Sequence, residues 1–306
     1  MNIPFFDRGA FGTPLHFLHA NGYPPACYKS FLDLLRTKYH VFGMMLRPLW
    51  PDSNPEEIRN WKPFSEDLLQ FLASTACLDV HSAAPLSASS NHTPVIGVGH
   101  SIGAIVTLRA ALQDPDRFRA LVLIDPVLFV PSFMMKWQFV RRLGLGDWLH
   151  PLIPGTKKRR RSFDNLDKVF RGYRNRQIFR FMSDESLRLL IEGLTEPGNG
   201  GHKLVYPPEW EAQIYRTGMQ DFDIWHGLPQ LEVPTLFLRG AETDTFLPEA
   251  ARLVQRKQPK ARVETLPRST HLLPLERPRE VFDIMQSFLQ TLESESLLPK
   301  LRQPAG

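Results

Sequence analysis

Short apolar runs bounded by glycine and proline alternate along this chain with segments whose apolar residues recur at helical spacing. That alternation predicts a mostly parallel α/β sheet flanked by helices. Residues 15–18 (LHFL), 39–46 (YHVFGMML), 94–98 (PVIGV) and 120–124 (ALVLI) read as strands of the first half. Between them, residues 27–36 place Phe31, Leu34 and Leu35 on one helical face, residues 61–76 do the same with Phe64, Leu68, Leu69, Phe71 and Leu72, and residues 102–112 form a third helix. The alternation stops between Val127 and Leu228, where helical and irregular segments replace strands. It resumes with strands at 233–238 and 262–266, and with helices at 248–257 and 274–292. The pattern predicts one catalytic domain made of residues 1–126 and 229–306, interrupted by a mainly helical cap over residues 127–228. The small, polar stretch 82–91 reads as a surface loop, and the tail beyond Glu293 as frayed.

The junction between the third strand and its helix carries Gly99-His100-Ser101-Ile102-Gly103. A G-x-S-x-G string is common by chance, but between a strand and a helix it has a mechanical meaning. The sharp turn lifts the serine hydroxyl out of the sheet's carboxyl edge, and the helix N-terminus behind it directs N–H groups toward developing negative charge. A serine hydroxyl is a weak nucleophile near neutral pH, so it needs a histidine base and an acid to orient that base. His271 is the only one of the ten histidines placed after the last strand and before the last helix. Asp244, in the loop after strand 233–238, is the favoured acid. Two other carboxylates compete: Glu242, read as a solvated loop residue, and Asp125, read as shaping the turn into the insert. The oxyanion donors are assigned to the backbone N–H groups of Ile102, just after the nucleophile, and of Asn21, in the loop His19-Ala20-Asn21-Gly22-Tyr23 after the first strand. His19 reads as a brace for that loop, and His100 as a packing residue.

Together these four segments, with Arg239-Gly240 before Asp244, resemble the α/β-hydrolase superfamily over residues 15–292. The resemblance implies a Ser-Asp-His triad, a cap inserted after the strand that ends at Asp125, and no metal or organic cofactor. Some serine hydrolases with this sheet take the acid from the position of Asp125. Epoxide hydrolases and haloalkane dehalogenases of the superfamily use an aspartate nucleophile, so Ser101 argues against both. His-Ala-Asn-Gly stands where many members have His-Gly, and the short lead before residue 15 predicts that the usual antiparallel N-terminal strands are short or missing.

Composition narrows the picture. In 306 residues, 37 Lys and Arg face 32 Asp and Glu, a net charge of +5 that is too small for a dedicated nucleic-acid binder. The excess lies in the insert, where 16 Lys and Arg face 11 Asp and Glu. The run Lys157-Lys158-Arg159-Arg160-Arg161 reads as a solvated face or as cap-to-core ion pairs, ahead of an anionic substrate tail or membrane-surface contact and of a nucleic-acid or nuclear-localisation signal. Cys27 and Cys77 are too few for a disulfide scaffold and read as reduced thiols. The opening residues lack a signal-peptide pattern, no apolar run is long enough to span a membrane, and the expected location is the cytoplasm. Asn91-His92-Thr93 is a glycosylation sequon only in form. The apolar crowd Phe129, Val130, Phe133, Met134, Trp137, Phe139, Val140, Leu143, Leu145, Trp148, Leu149, Leu152 and Ile153 is expected mostly to pack the cap onto the sheet edge, with a minority lining an apolar pocket above Ser101. Gly144, Pro154, Gly146 and Gly155 are candidate lid hinges. The sum predicts a serine hydrolase that cleaves a small carboxylic ester or thioester with an apolar arm through an acyl-enzyme on Ser101. An acyltransferase or lyase on the same site, and a ligand-binding protein without turnover, are the rival readings.

Overall fold

The computed structural model describes residues 3–9, 12–74 and 93–295. The polar stretch 82–91, the sequon at Asn91, Cys77 and the last eleven residues lie outside the described residues. The first half of the main sheet is β1 (Phe5–Asp7), β2 (Thr13–Leu18), β3 (Tyr39–Met44), β4 (Val95–His100) and β5 (Phe118–Ile124). Helices α1 (Lys29–Leu35), α2 (Lys62–Ala73) and α3 (Ile102–Gln113) lie between them. The insert follows with α4 (Pro131–Arg142), α5 (Gly146–Leu149), α6 (Ile153–Lys157), β6 (Ser162–Phe163), α7 (Leu166–Arg174), α8 (Asp184–Leu194), β7 (Thr195–Gly198), β8 (Gly201–Leu204), α9 (Pro208–Thr217) and α10 (Phe222–Gly227). The chain returns to the sheet with β9 (Thr235–Gly240), α11 (Pro248–Lys257), β10 (Arg262–Leu266), α12 (Leu273–Glu276) and α13 (Pro278–Ser294).

The sheet order is β1-β3-β2-β4-β5-β9-β10, parallel throughout except for the β1 edge. That edge strand is three residues long, so the N-terminal antiparallel part is short, as the sequence predicts. Strands covered on both faces read as continuous apolar runs. In β5, Leu121 and Leu123 face one core with Phe64 and Leu108, while Val122 and Ile124 face the other with Phe31 and Val281. The period of two therefore sets which helix layer each side chain meets. The segment predicted as one closing helix over 274–292 is split into α12 and α13 at Arg277, where Pro278 cannot continue the hydrogen-bond ladder.

The insert contributes no strand to the main sheet and carries its own small antiparallel sheet, β6-β8-β7, which the sequence pattern does not predict. The expectation that its apolar crowd packs against the sheet edge is corrected. Met134 and Ile153 are buried, and Phe129, Val130 and Trp137 are packed against the core, but Phe133, Phe139, Leu143, Leu145, Trp148, Leu149 and Leu152 are exposed. The basic run pairs within the insert rather than with the core: Lys157 with Asp147 at 2.8 Å, Arg159 with Glu211 at 2.5 Å, and Arg161 with Glu209. No helix among the described residues is long and apolar enough to cross a membrane.

Candidate active site

Ser101 occupies the turn between β4 and α3 with φ 61° and ψ −121°, a region that non-glycine residues rarely adopt. Its N–H donates to Ile124 O at 3.0 Å, tying the turn to the end of the neighbouring strand. The flanking glycines are required by close approach. A Cβ on Gly103 would collide with the carbonyl oxygens of Leu18 and His19, and one on Gly99 with the Gly103 backbone. The motif thus lets the nucleophile turn press against both its own helix and the end of β2.

His271, in the loop between β10 and α12, places Nε2 2.9 Å from Ser101 Oγ. Its Nδ1 lies 2.7 Å from Asp125 Oδ2. The ring therefore donates from Nδ1 to the carboxylate and accepts the serine proton at Nε2. Asp125 is fully buried and is held by two further donors, Gly240 N–H at 3.0 Å and the Thr243 hydroxyl. It too has a positive φ, 41°, directly after β5.

The expected contact of Asp244 with His271 is corrected: the carboxylate at Nδ1 is that of Asp125. Asp244 is exposed, and its Oδ1 accepts from the Thr245 hydroxyl at 3.2 Å; Thr245 Oγ1 in turn lies 3.1 Å from His271 Nδ1. Asp244 therefore stands one hydroxyl away from the base, while Asp125 touches it. The reason is strand order. β5 lies directly beside β4, with Ile124 opposite His100, so the residues that follow are neighbours at the carboxyl edge. β9 is one strand further out. Glu242, read as solvated, is exposed and pairs with Arg180 at 2.5 Å.

The two backbone N–H groups expected to bind an oxyanion make no hydrogen bond among the described residues. Ile102 N–H opens α3 and has no intrahelical acceptor. In the loop after β2, Ala20 N–H is taken by Tyr28 Oη at 3.2 Å and Tyr23 N–H by Ala20 O, while Asn21 N–H has no acceptor among the described residues. The Asn21 side chain donates to Glu211 O in α9 at 3.1 Å, which anchors the loop to the insert. His19 accepts from Leu46 N–H at Nε2 and donates from Nδ1 to Ala20 O, a brace with no free ring nitrogen. Burial pulls its pKa down to about 4, so it stays neutral.

His100 does more than fill space. Its Nε2 donates to His271 O at 2.8 Å, so its Nδ1 accepts from the Tyr28 hydroxyl at 2.7 Å, and that hydroxyl accepts from Ala20 N–H. One buried chain of hydrogen bonds joins the loop after β2, the Ser101 turn through His100, and the backbone of His271. Burial and the neighbouring His271 hold the His100 pKa well below the usual histidine value, and burial pushes the Tyr28 phenol up. Tyr28, read from the sequence only as the start of a helix, is the functional-site residue that pattern reasoning missed; nothing in its sequence neighbourhood marks it.

A family model described as the Alpha/beta hydrolase family matches residues 17–284. The chain belongs to the alpha/beta hydrolase family. It is 26% identical over 202 residues to the sn-1-specific diacylglycerol lipase ABHD11 of Mus musculus, a match covering 64% of this chain and 59% of that protein, so less than two thirds of the relative's length is spanned. Epoxide hydrolase 3 of Xenopus tropicalis is 26% identical over 296 residues, covering 91% of this chain and 72% of the relative. Among solved structures, E-2-(Acetamidomethylene)succinate Hydrolase superposes with a TM-score of 0.72 at 19% identity over 94% of both chains. For this member of the family, the mostly parallel sheet and the strand-turn-helix setting of Ser101 are those the sequence predicts.

Proposed function

We propose that this protein is a serine hydrolase of carboxylic esters or thioesters, with Ser101 as nucleophile, His271 as general base and then acid, and Asp125 as the carboxylate that orients His271. The observation that carries this reading is His271, bound on one side to Ser101 Oγ at 2.9 Å and on the other to a fully buried carboxylate at 2.7 Å. Ser101 Oγ attacks the carbonyl carbon as its proton passes to His271 Nε2. The carbonyl oxygen gains negative charge, which the Ile102 and Asn21 N–H groups stabilise. Collapse expels the alcohol or thiol, which takes the proton from His271, and water then releases the acid by the same steps in reverse order.

Ester chemistry is supported by the name of the mouse relative, a lipase. The epoxide hydrolase likeness carries less weight for the reaction, because the position that supplies an aspartate nucleophile in such enzymes is Ser101 here. In this reading the insert acts as a cap, with α9 holding the oxyanion loop through Glu211 O.

Labelling with a fluorophosphonate probe and turnover of aryl esters of increasing acyl length test the proposal. Wild type is expected to label and turn over, and Ser101→Ala to do neither. Labelling that persists in Ser101→Ala refutes the nucleophile. Labelling by wild type without release of acid, but with acyl transfer to an added alcohol or thiol, replaces hydrolysis by transfer.

A further inference from the structure

Eight of the ten large apolar side chains exposed among the described residues fall between residues 133 and 152. They are not scattered. On α4, the inward side is occupied by buried Met134, by Gln138 bonded to Met219 O and by Arg141 reaching Gly218 O. The outward side repeats every four residues: Met135, Phe139 and Leu143, flanked by Lys136 and Arg142. α5 follows with Trp148, the most exposed of the set at 76%. A patch of this kind with no covering element among the described residues marks a contact surface.

The charge around it is one-sided. Residues 131–161 hold eight Lys and Arg against a single carboxylate, Asp147, and Asp147 is already engaged by Lys157 and Arg216. Lys136, Arg142, Lys158 and Arg160 are exposed and have no ion-pair partner among the described residues. Outside this stretch the chain is slightly acidic, 29 Lys and Arg against 31 Asp and Glu. Exposed aromatic and aliphatic side chains set among unpaired cations fit the headgroup and upper acyl region of a bilayer that carries negative charge. A second copy of the chain fits poorly, since a two-fold contact would set two equally positive faces against each other.

The geometry points to the outward face of α4 and α5 as a docking surface for an anionic membrane leaflet, with Phe139 and Trp148 entering the interface and Lys136 and Arg142, which flank the apolar stripe on α4, meeting lipid phosphates. The surface holds the protein against the bilayer without crossing it. The inference does not depend on the proposed ester chemistry, because the test reads binding and not turnover.

Sedimentation with vesicles of phosphatidylcholine alone, and with vesicles containing three parts in ten phosphatidylserine, measures it, using the full chain at 0.1 M and 0.5 M salt. Partition is expected to be strong only on the anionic vesicles, and to fall at the higher salt as screening shortens. Each cation near the surface is worth roughly five-fold in partition, so Lys136→Ala with Arg142→Ala should lose roughly twenty-five-fold. Phe139→Ser with Trp148→Ser should lose at least as much, with an unchanged thermal midpoint because both side chains are exposed. A blue shift of tryptophan emission on binding should shrink in Trp148→Phe. Equal partition onto both vesicle types, or none onto either, overturns the inference. So does a concentration-dependent dimer that the Phe139→Ser, Trp148→Ser variant dissolves, which would make the face a protein contact.

Discussion

Replacing Asp125 by asparagine removes one charge at the centre of the hydrogen-bonded site and nothing else of comparable size. The carboxylate now accepts from His271 Nδ1, Gly240 N–H and the Thr243 hydroxyl. An asparagine has a single acceptor oxygen, and its NH₂ must face one of these donors. If it faces His271, the ring is driven toward the tautomer that cannot accept the Ser101 proton. The charge contributes separately. When His271 takes that proton it becomes an imidazolium whose charge centre lies roughly 4 Å from the carboxylate, an attraction of about 4 kcal/mol at an effective dielectric near 20. At about 1.4 kcal/mol per decade, this loss alone is about a thousand-fold in kcat/KM, and with the tautomer penalty about 10³ to 10⁴. Asp244→Asn should cost less than about five-fold, since the side chain is exposed and reaches the base only through Thr245. Aryl-ester kcat/KM and the rate of fluorophosphonate labelling both report the step, with circular dichroism as the check on folding. An Asp125→Asn enzyme within ten-fold of wild type, beside an Asp244→Asn enzyme down by 10³, would show that the observed contact is not the working one.

Three further outcomes follow from the same contacts. Tyr28→Phe leaves the Ala20 N–H and His100 Nδ1 buried without partners, so chemical denaturation should show a loss of about 2 to 4 kcal/mol, and kcat should fall at least ten-fold with KM nearly unchanged; a variant with wild-type stability and kcat would sever the link between this chain of bonds and the site. Gly103→Ala forces a Cβ onto the Leu18 and His19 carbonyls, and should cost about 3 kcal/mol and abolish labelling of Ser101; full labelling would contradict the close approach. Burial lowers the pKa of His16 to about 3 and of His19 to about 4, and holds His100 well below its usual value. The unfolded chain, titrating near 6.5, then binds more protons than the folded one below that pH. The stability from these neutral imidazoles is fully present above pH 6.5 and falls between 6.5 and 4 by up to about 1.4 kcal/mol per pH unit for each. Urea midpoints that hold constant or rise from pH 7 to pH 5 would remove this account.

Much of the frame is legible in the chain itself. The strand at 262–266 and the helix at 248–257 match β10 and α11 residue for residue, and the strand at 120–124 lies inside β5. These elements have strong local signals: β-branched and apolar runs bounded by proline, or an amphipathic period opened by Pro248. The small sheet β6-β8-β7 is not legible, because its strands are only two to four residues long and mostly half-buried or exposed, and such short strands carry no alternation to read. Within the site, Ser101 and His271 could be found because each sits in a distinctive position, one inside a glycine-flanked turn and the other after the last strand. His100 could be found only as an apolar-packed neighbour, since its partners Tyr28 and His271 O are 72 and 171 residues away.

What the sequence determines by itself is the nucleophile turn, because its physics is local: two glycines allow a backbone path that a Cβ would block, and the serine between them takes the strained conformation. The tertiary structure alone decides which carboxylate touches His271. Asp125 and Asp244 both follow a strand and both lie between Ser101 and His271 in the chain, so chain order cannot separate them. Adjacency in the sheet can, since β5 borders β4 and brings Asp125 beside Ser101, while β9 lies one strand further away. The apolar residues of the insert obey the same division. Met135, Phe139 and Leu143 recur every four residues and so share one face of α4, while Met134 lies on the other; which face meets the core depends on what folds against it, and here the core takes the side of Met134.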